Sequence, residues 1–266
     1  MKFFTFFLFT VYVLVPHIVL AEDDHLTLSI PNIPPAFTAD YVVKVGGLNV
    51  GTLKVKLTQE DEHHWTYYSI SDAVGLAAMF MGGEPVTDTS KLALRNDVIR
   101  PTFYERIRKT KKEDKSERVF YQWDQLSANS EYKDRKNTIT LHDQVTDKFT
   151  LQLLLMANIQ KIPNKMNLPI ISKAKLRDYL IVNNGSEKIQ TAYGERQTII
   201  VERIKDDSSY KIWADASAHG LPLQIERIKE GDTEYIVQLV ETSLIDESEK
   251  TARVAKNPQS SYFQSR

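Results

Sequence analysis

"FTADYVVKVGGLNVGTLKVKLTQ", Phe37 to Gln59, decides the fold class. Phe37, Ala39, Tyr41, Val43 and Val45 share one side of an extended chain, and Leu53, Val55 and Leu57 do the same against Thr52, Lys54, Lys56 and Thr58. Side chains of a strand alternate between two faces, so this period of two predicts two half-buried antiparallel strands. Gly46, Gly47 and Gly51 supply the turn or bulge between them.

Downstream the style repeats. "HHWTYYSISD" reads as a third strand, "KLALRNDVIRPTFYERIRK" as two joined at "RND", and "ERVFYQWDQ", "NSEYKD" and "NTITLHD" as shorter ones. The charged run Arg108 to Arg118, with Glu113, Asp114 and Glu117 among its basic residues, is a solvated hairpin tip rather than a patch for anionic headgroups. One segment breaks the rhythm. In "DKFTLQLLLMANIQKIP" Leu151, Leu154, Leu155, Asn158 and Ile159 recur at helical spacing, Asp147 can cap the first turn, and Pro163 stops the run. One principal amphipathic helix is therefore expected over 147–161, as a lid on a concave sheet face or a connector. Six more strand patterns follow, "KLRDYLIV", "EKIQTAY", "RQTIIVERI", "YKIWADA", "LPLQIERI" and "TEYIVQLVETSL", joined by short turns that include Asn184-Gly185. The expected fold is mainly β over residues 37–245: a strongly curved antiparallel sheet or open β-barrel, divisible into two meander halves joined by the helix.

Upstream, "MKFFTFFLFTVYVLVPHIVLA" has one basic residue, a long apolar run, Pro16 and a Val-x-Ala ending. This predicts a secretory signal over 1–21, cleaved after Ala21; the alternative is an uncleaved anchor, since about 20 apolar residues can span a bilayer. Residues 22–36, with Pro31, Pro34 and Pro35, form an extended lead-in, and 246–266 a polar tail expected to be disordered. Cleavage leaves 245 of the 266 residues, with 33 basic against 35 acidic. That balance gives no footprint for nucleic acid. The absence of cysteine excludes a thiol nucleophile, a Cys-ligated metal and an acylated N-terminal Cys. A soluble periplasmic protein without a transmembrane segment is the resulting expectation.

Candidate chemistry is sparse. In "EDEHHW" the adjacent His63 and His64 point to opposite faces of a strand, so a hairpin turn accounts for them better than a metal site. His219 lies near Ser217 without a nucleophile elbow or an orienting acid, and Asn184-Gly185-Ser186 matches the glycosylation sequon only in form. No catalytic residue, metal or cofactor is expected. More suggestive is "DAVGLAAMFMGGEPV", where Leu76, Met79, Phe80 and Met81 are bracketed by Gly75 and Gly82-Gly83, as a flap over a lipid-like ligand requires and as a short packed helix also allows. Tyr121, Trp123 and Trp213, each with an apolar body and a polar tip, are the aromatic candidates for ligand contact.

Taken in order, "FTADYVVKVGGLNVGTLKVKL", "GLAAMF", "DVIRPTFYERIRKTKK" with "FYQWD", "TDKFTLQLLL" and "YKIWADASAHGLPLQIER" resemble the bacterial exported family called domain of unknown function 3108. The matching positions are Gly46-Gly47, Gly51, Pro101, Trp123-Asp124, Asp147, Trp213 and Leu221-Pro222. The resemblance implies a Gram-negative envelope location and a β-rich fold, and it brings no activity, cofactor or catalytic residue. The late hairpins are also similar, at the level of fold, to periplasmic lipoprotein carriers, whose curved sheets hold acyl chains. The reading favoured is a non-enzymatic periplasmic protein binding a lipid or other hydrophobic envelope component in its concavity. The alternatives are a module that binds an envelope protein partner and, third, a hydrolase.

Overall fold

The Phe37–Gln59 alternation folds as the hairpin it predicts. β1 (Phe37–Val45) and β2 (Leu48–Gln59) pair antiparallel with Tyr41 opposite Leu53. Gly46 and Gly47 take positive φ in the turn, a conformation that costs glycine little. A computed structural model describes residues 26–75, 85–109 and 113–246. The segment expected to be a secretory signal, the expected flap residues Leu76, Met79, Phe80 and Met81, and residues beyond 246 lie outside the described residues.

The N-terminal meander continues through β3 (His64–Ala73), β4 (Val86–Arg95), β5 (Val98–Ile107), β6 (Glu117–Gln122), β7 (Ser127–Tyr132) and β8 (Arg135–Thr140). The "RND" expected between β4 and β5 is a tight turn, with Asn96 and Asp97 at φ 49 and 62. The C-terminal meander comprises β9 (Lys165–Ile171), β10 (Leu176–Thr191), β11 (Gly194–Lys205), β12 (Ser208–Asp215), β13 (Leu221–Lys229) and β14 (Asp232–Thr242). β1 pairs with β14 as well as β2, so both meanders belong to one antiparallel sheet of fourteen strands with β8 and β9 at its edges. The sheet curves without closing into a barrel ladder. Across the gap, Asn137 Nδ2 of β8 donates to the Ala174 carbonyl at 2.6 Å, and the Lys173 amide donates to the Glu117 carboxylate of β6.

Two stretches depart from the sequence reading. "KMNLPII", β9, is a strand absent from the patterns above; Pro169 is tolerated within it because β9 is an edge. Asn184-Gly185 is not a hairpin turn. It forms a bulge inside the single long strand β10, where the register against β11 shifts between Asn183 and Ser186 and Gly185 sits at φ +83.

The helix α1 (Lys148–Ala157) starts where Asp147 accepts the amides of Phe149 at 2.8 Å and Thr150 at 2.9 Å, and a short 3-10 turn (Ile159–Lys161) extends it. Leu151, Leu154 and Leu155 are buried as expected, but so are Leu153 and Met156. A helix apolar nearly all round belongs inside a core. α1 lies within the curve of the sheet, packing on Leu168, Ile170, Ile181, Val201, Leu221, Leu223, Val237 and the β1–β4 interior. Each fully buried Leu or Met there stabilises the fold by about 1.5–3 kcal/mol. At its far end the fit is close. Gly220, at φ +71 in the β12–β13 turn, leaves no room for a methyl group, since a Cβ would come within 2.4 Å of the Met156 carbonyl oxygen. Asn158 Nδ2 donates to Leu154 O and to Thr27 O, both at 2.8 Å, which ties the lead-in to the helix. A second apolar cluster, Tyr104, Val119, Tyr121, Trp123, Ala128, Ile139, Leu141, Val145 and Ile171, fills the β5–β8 side.

Candidate functional site

The centre of the concavity is occupied by α1, and open apolar space remains at one end of it. Between the lead-in, the start of β5, the turn after β6 and residues 143–146 lies a cavity of about 290 Å³. Leu26, Leu28, Ile99, Pro101, Trp123, Val145 and Leu154 form its apolar wall. Local structure explains each contribution. The lead-in is pinned by Ile99 N donating to Leu28 O at 2.7 Å, and the alternation of β6 turns Val119 and Tyr121 inward before the chain tightens into a 3-10 turn at Trp123. Trp123 Nε1 donates to Pro101 O at 2.7 Å, and its ring stacks on Tyr121 with centroids 6.0 Å apart and planes 7° from parallel.

Polar groups stand at the rim and floor. The Arg100 guanidinium lies 4.6 Å from the Trp123 ring centroid and bonds to Asp143 at 3.0 Å, while Gln144 Nε2 is buried and finds no acceptor. On the floor Thr150 Oγ1 donates to Asp147 at 2.7 Å, and Ser90 Oγ donates to the same oxygen at 2.9 Å. Burial pushes the Asp147 carboxyl up, against the pull of these hydrogen bonds.

Beyond Asp147 a polar network occupies the interior of β4–β7. Asp88 accepts from Tyr104 Oη at 2.7 Å and pairs with Arg106 at 3.4 Å; Glu117 pairs with Lys148 at 3.4 Å. Tyr121 Oη and Ser130 Oγ are buried here without partners. Burial raises the phenols of Tyr104 and Tyr121 well above their ordinary value, so both stay protonated, and Tyr104 serves as a donor to Asp88. The arrangement suits holding an apolar group in the cavity beneath a polar rim formed by the Arg100–Asp143 ion pair and Gln144.

Of the aromatic candidates, the structure places Trp123 in the cavity wall, sets Tyr121 behind it in the second apolar cluster and sends Trp213 elsewhere. Trp213 projects from the convex face of β12, buried beneath Lys211, whose Nζ lies 4.7 Å from the ring centroid, and its Nε1 donates to Glu187. His64 Nδ1 bonds to Asp61 at 2.9 Å within the β2–β3 turn, and Ser217 Oγ donates to Asp215 at 2.6 Å. No group of three metal-ligating side chains occurs among the described residues, and no described helix is long and apolar enough to cross a membrane. Sequence reasoning missed Arg100, Gln144 and the pocket role of Leu26 and Leu28. The one available signal was Arg100 beside Pro101, a proline inside a strand pattern.

Comparison with known proteins matches this architecture. The beta-barrel-like protein of domain of unknown function DUF1849 from Brucella abortus superposes with a TM-score of 0.54 at 10% identity, covering 80% of this chain and 100% of that one, a likeness of fold alone. No curated protein matches in sequence. The family described as protein of unknown function DUF3108 matches residues 40–236, from within β1 to within β14, and the chain belongs to that family.

Proposed function

We propose that this is a non-enzymatic protein of the periplasm that binds the apolar part of an envelope amphiphile in the cavity beside Trp123. The observation that carries the reading is the cavity itself, a largely apolar space of about 290 Å³ rimmed by Arg100 and the unmet Gln144 amide. Ligand sites run from roughly 300 to 1,000 Å³, so this one lies at the small end. At about 30 Å³ per water-sized group it holds on the order of ten carbon-sized groups. That fits a medium acyl chain, or the end of a long one, with its carboxylate at Arg100. The signal-like N-terminus supports export, and the family resemblance supports the envelope.

Two measurements test the reading. Lipid extraction and mass spectrometry of protein purified from its own envelope should yield an acyl-bearing species. A brominated medium-chain fatty acid should quench Trp fluorescence in the wild type and not in Trp123→Phe. Val98→Phe, which crowds the mouth, should weaken that binding by roughly tenfold or more. Absence of any extracted lipid together with quenching indifferent to Trp123 sinks it.

A further inference from the structure

At the opposite end of the concave face the C-terminal meander carries cations where an apolar row would continue. Val201, Ile212, Ile225 and Val237 lie side by side across β11–β14 and pack in the core. Two residues further along, the next row on the same face is Arg203, Tyr210, Arg227 and Tyr235. Arg203 lies between two rings, its Cζ 4.6 Å from the Tyr179 centroid and 4.2 Å from that of Tyr210. With both faces of the guanidinium covered, its donors point outward in the guanidinium plane, and the buried Nε meets no acceptor.

The surroundings are cationic. Arg227 covers the other side of Tyr210 at 4.9 Å and bonds to Glu234 at 2.5 Å. Lys205 lies 5.6 Å from the Tyr179 ring; its nearest carboxylate contact is the largely exposed Asp206 at 3.9 Å. Burial lowers the Lys205 ammonium, and the charges of Arg177, Lys173 and Arg203 lower it further. The Tyr210 and Tyr235 hydroxyls stand 3.3 Å apart beside the guanidinia, as further donors. Side chains of Lys205 and Arg227 are 27% and 23% exposed, so the group is reached by solvent without being dispersed in it.

We propose that this face is an anion-binding site, in which the in-plane donors of Arg203, flanked by Arg227, Lys205 and the Tyr210 hydroxyl, take a phosphate group. A phosphate supplies what the row lacks: negative charge, and a pair of acceptor oxygens that can meet the fork in its plane while the others reach the neighbouring donors. The site stands apart from the cavity beside Trp123, which is built from the lead-in, β5, the turn after β6 and α1, so failure of either reading leaves the other intact.

The test titrates the full chain with inorganic phosphate by calorimetry and, separately, with phosphatidylglycerol vesicles against phosphatidylcholine vesicles by sedimentation. Binding should weaken as salt is added, and Arg203→Met should lose roughly tenfold or more in affinity, the expected worth of a charge-assisted hydrogen bond. Arg203→Lys, which keeps the charge without the fork, should fall between. Phosphate binding that depends on Arg203 supports the proposal with a free anion as the source; vesicle binding alone that depends on Arg203 supports it with a headgroup as the source. If neither probe binds the wild type, or Arg203→Met binds as the wild type does, the proposal is overturned. Should Arg203→Met not fold, Arg203→Lys and Arg227→Gln carry the same comparison.

Discussion

The two meanders place charge on the concave face at the same end of the sheet and treat it in opposite ways. In the N-terminal meander each buried acid has a cation. Asp88 faces Arg106 across β4 and β5, and Glu117 takes Lys148 from α1 and the Lys173 amide from the β9–β10 turn. In the C-terminal meander Arg203, Lys205 and Arg227 lie among tyrosine rings, with Glu234 and the exposed Asp206 as their carboxylate contacts. Neutralised charge at low exposure holds a structure together, because removing one partner strands the other. Cations in excess do less for the fold and are free to serve a ligand. The contrast therefore predicts that equivalent substitutions in the two regions will differ in what they break.

The largest effect is expected at Asp88. Asp88→Ala leaves the Arg106 guanidinium without its carboxylate and the Tyr104 hydroxyl without its acceptor, and urea unfolding should show a loss of about 3–5 kcal/mol. A loss below about 1 kcal/mol would show that the N-terminal network is no more structural than an exposed ion pair. Next is Asp147, where network and helix meet. Asp147→Ala removes the cap of α1 and strands the Ser90 and Thr150 hydroxyls, for an expected cost of about 2–3 kcal/mol. Asp147→Asn, which keeps an acceptor oxygen, should recover part of it.

How far this contrast was legible in the sequence depends on what alternation reports. Period-two patterning identified the hairpins because one face of each strand is apolar, and the cap and spacing of α1 were equally plain. Burial of Leu153 and Met156 was not, since a helix enclosed by a curved sheet needs no polar stripe and the chain gives no sign of the enclosure. β9 shows no period-two pattern, its last four residues all being buried, and Asn184-Gly185 reads as a hairpin turn because a bulge and a hairpin turn ask for the same positive φ. At the cavity, Trp123 could be chosen from its strand, with Tyr121 stacked behind it, whereas Leu26 and Arg100 come from segments that only the tertiary fold brings together. The Arg203 row escaped for another reason. In "RQTIIVERIK" its cations look like a solvated strand end, although Arg203 shares a face with Val201 and Tyr210 shares one with Ile212.

Tyrosine ionisation sharpens the comparison at alkaline pH. Burial, and then the Asp88 charge, hold the Tyr104 phenol well above its ordinary value of 10. Its contribution to stability is thus complete below pH 10 and is lost as the pH rises past 10 toward the folded-state value. For Tyr210 burial also raises the phenol, but the Tyr235 hydrogen bond and the charges of Arg203 and Arg227 outweigh it, and the pKa is lowered. Its contribution is present above 10 and lost as the pH falls through the lowered value. A phenolate absorbance titration should accordingly lose its first step in Tyr210→Phe. Tyr104→Phe should leave that step in place and move alkaline unfolding to higher pH, each pH unit beyond 10 being worth up to about 1.4 kcal/mol. An early step that vanishes with Tyr104 instead would reverse the assignment of the two regions.

The smallest effect on stability is expected at Arg203, and there smallness is the informative result. Arg203→Met gives up two cation–π contacts, worth about 0.5–1 kcal/mol each, while relieving the desolvation of a guanidinium whose Nε has no acceptor and its repulsion from Lys205. These terms oppose one another, so the net change in unfolding free energy should stay within about 1 kcal/mol. Added phosphate should then separate the variants. An anion that binds only the folded state raises its stability in proportion to the logarithm of ligand concentration, so at matched ionic strength phosphate should raise the wild-type Tm over chloride and leave Arg203→Met unmoved. Asp88→Ala, destabilised in both salts, should keep the phosphate increment, because its damage lies in the other meander. Loss of the increment in Asp88→Ala with its retention in Arg203→Met would mean that the anion is held by the paired network, and that the division between a structural half and a binding half is drawn the wrong way round.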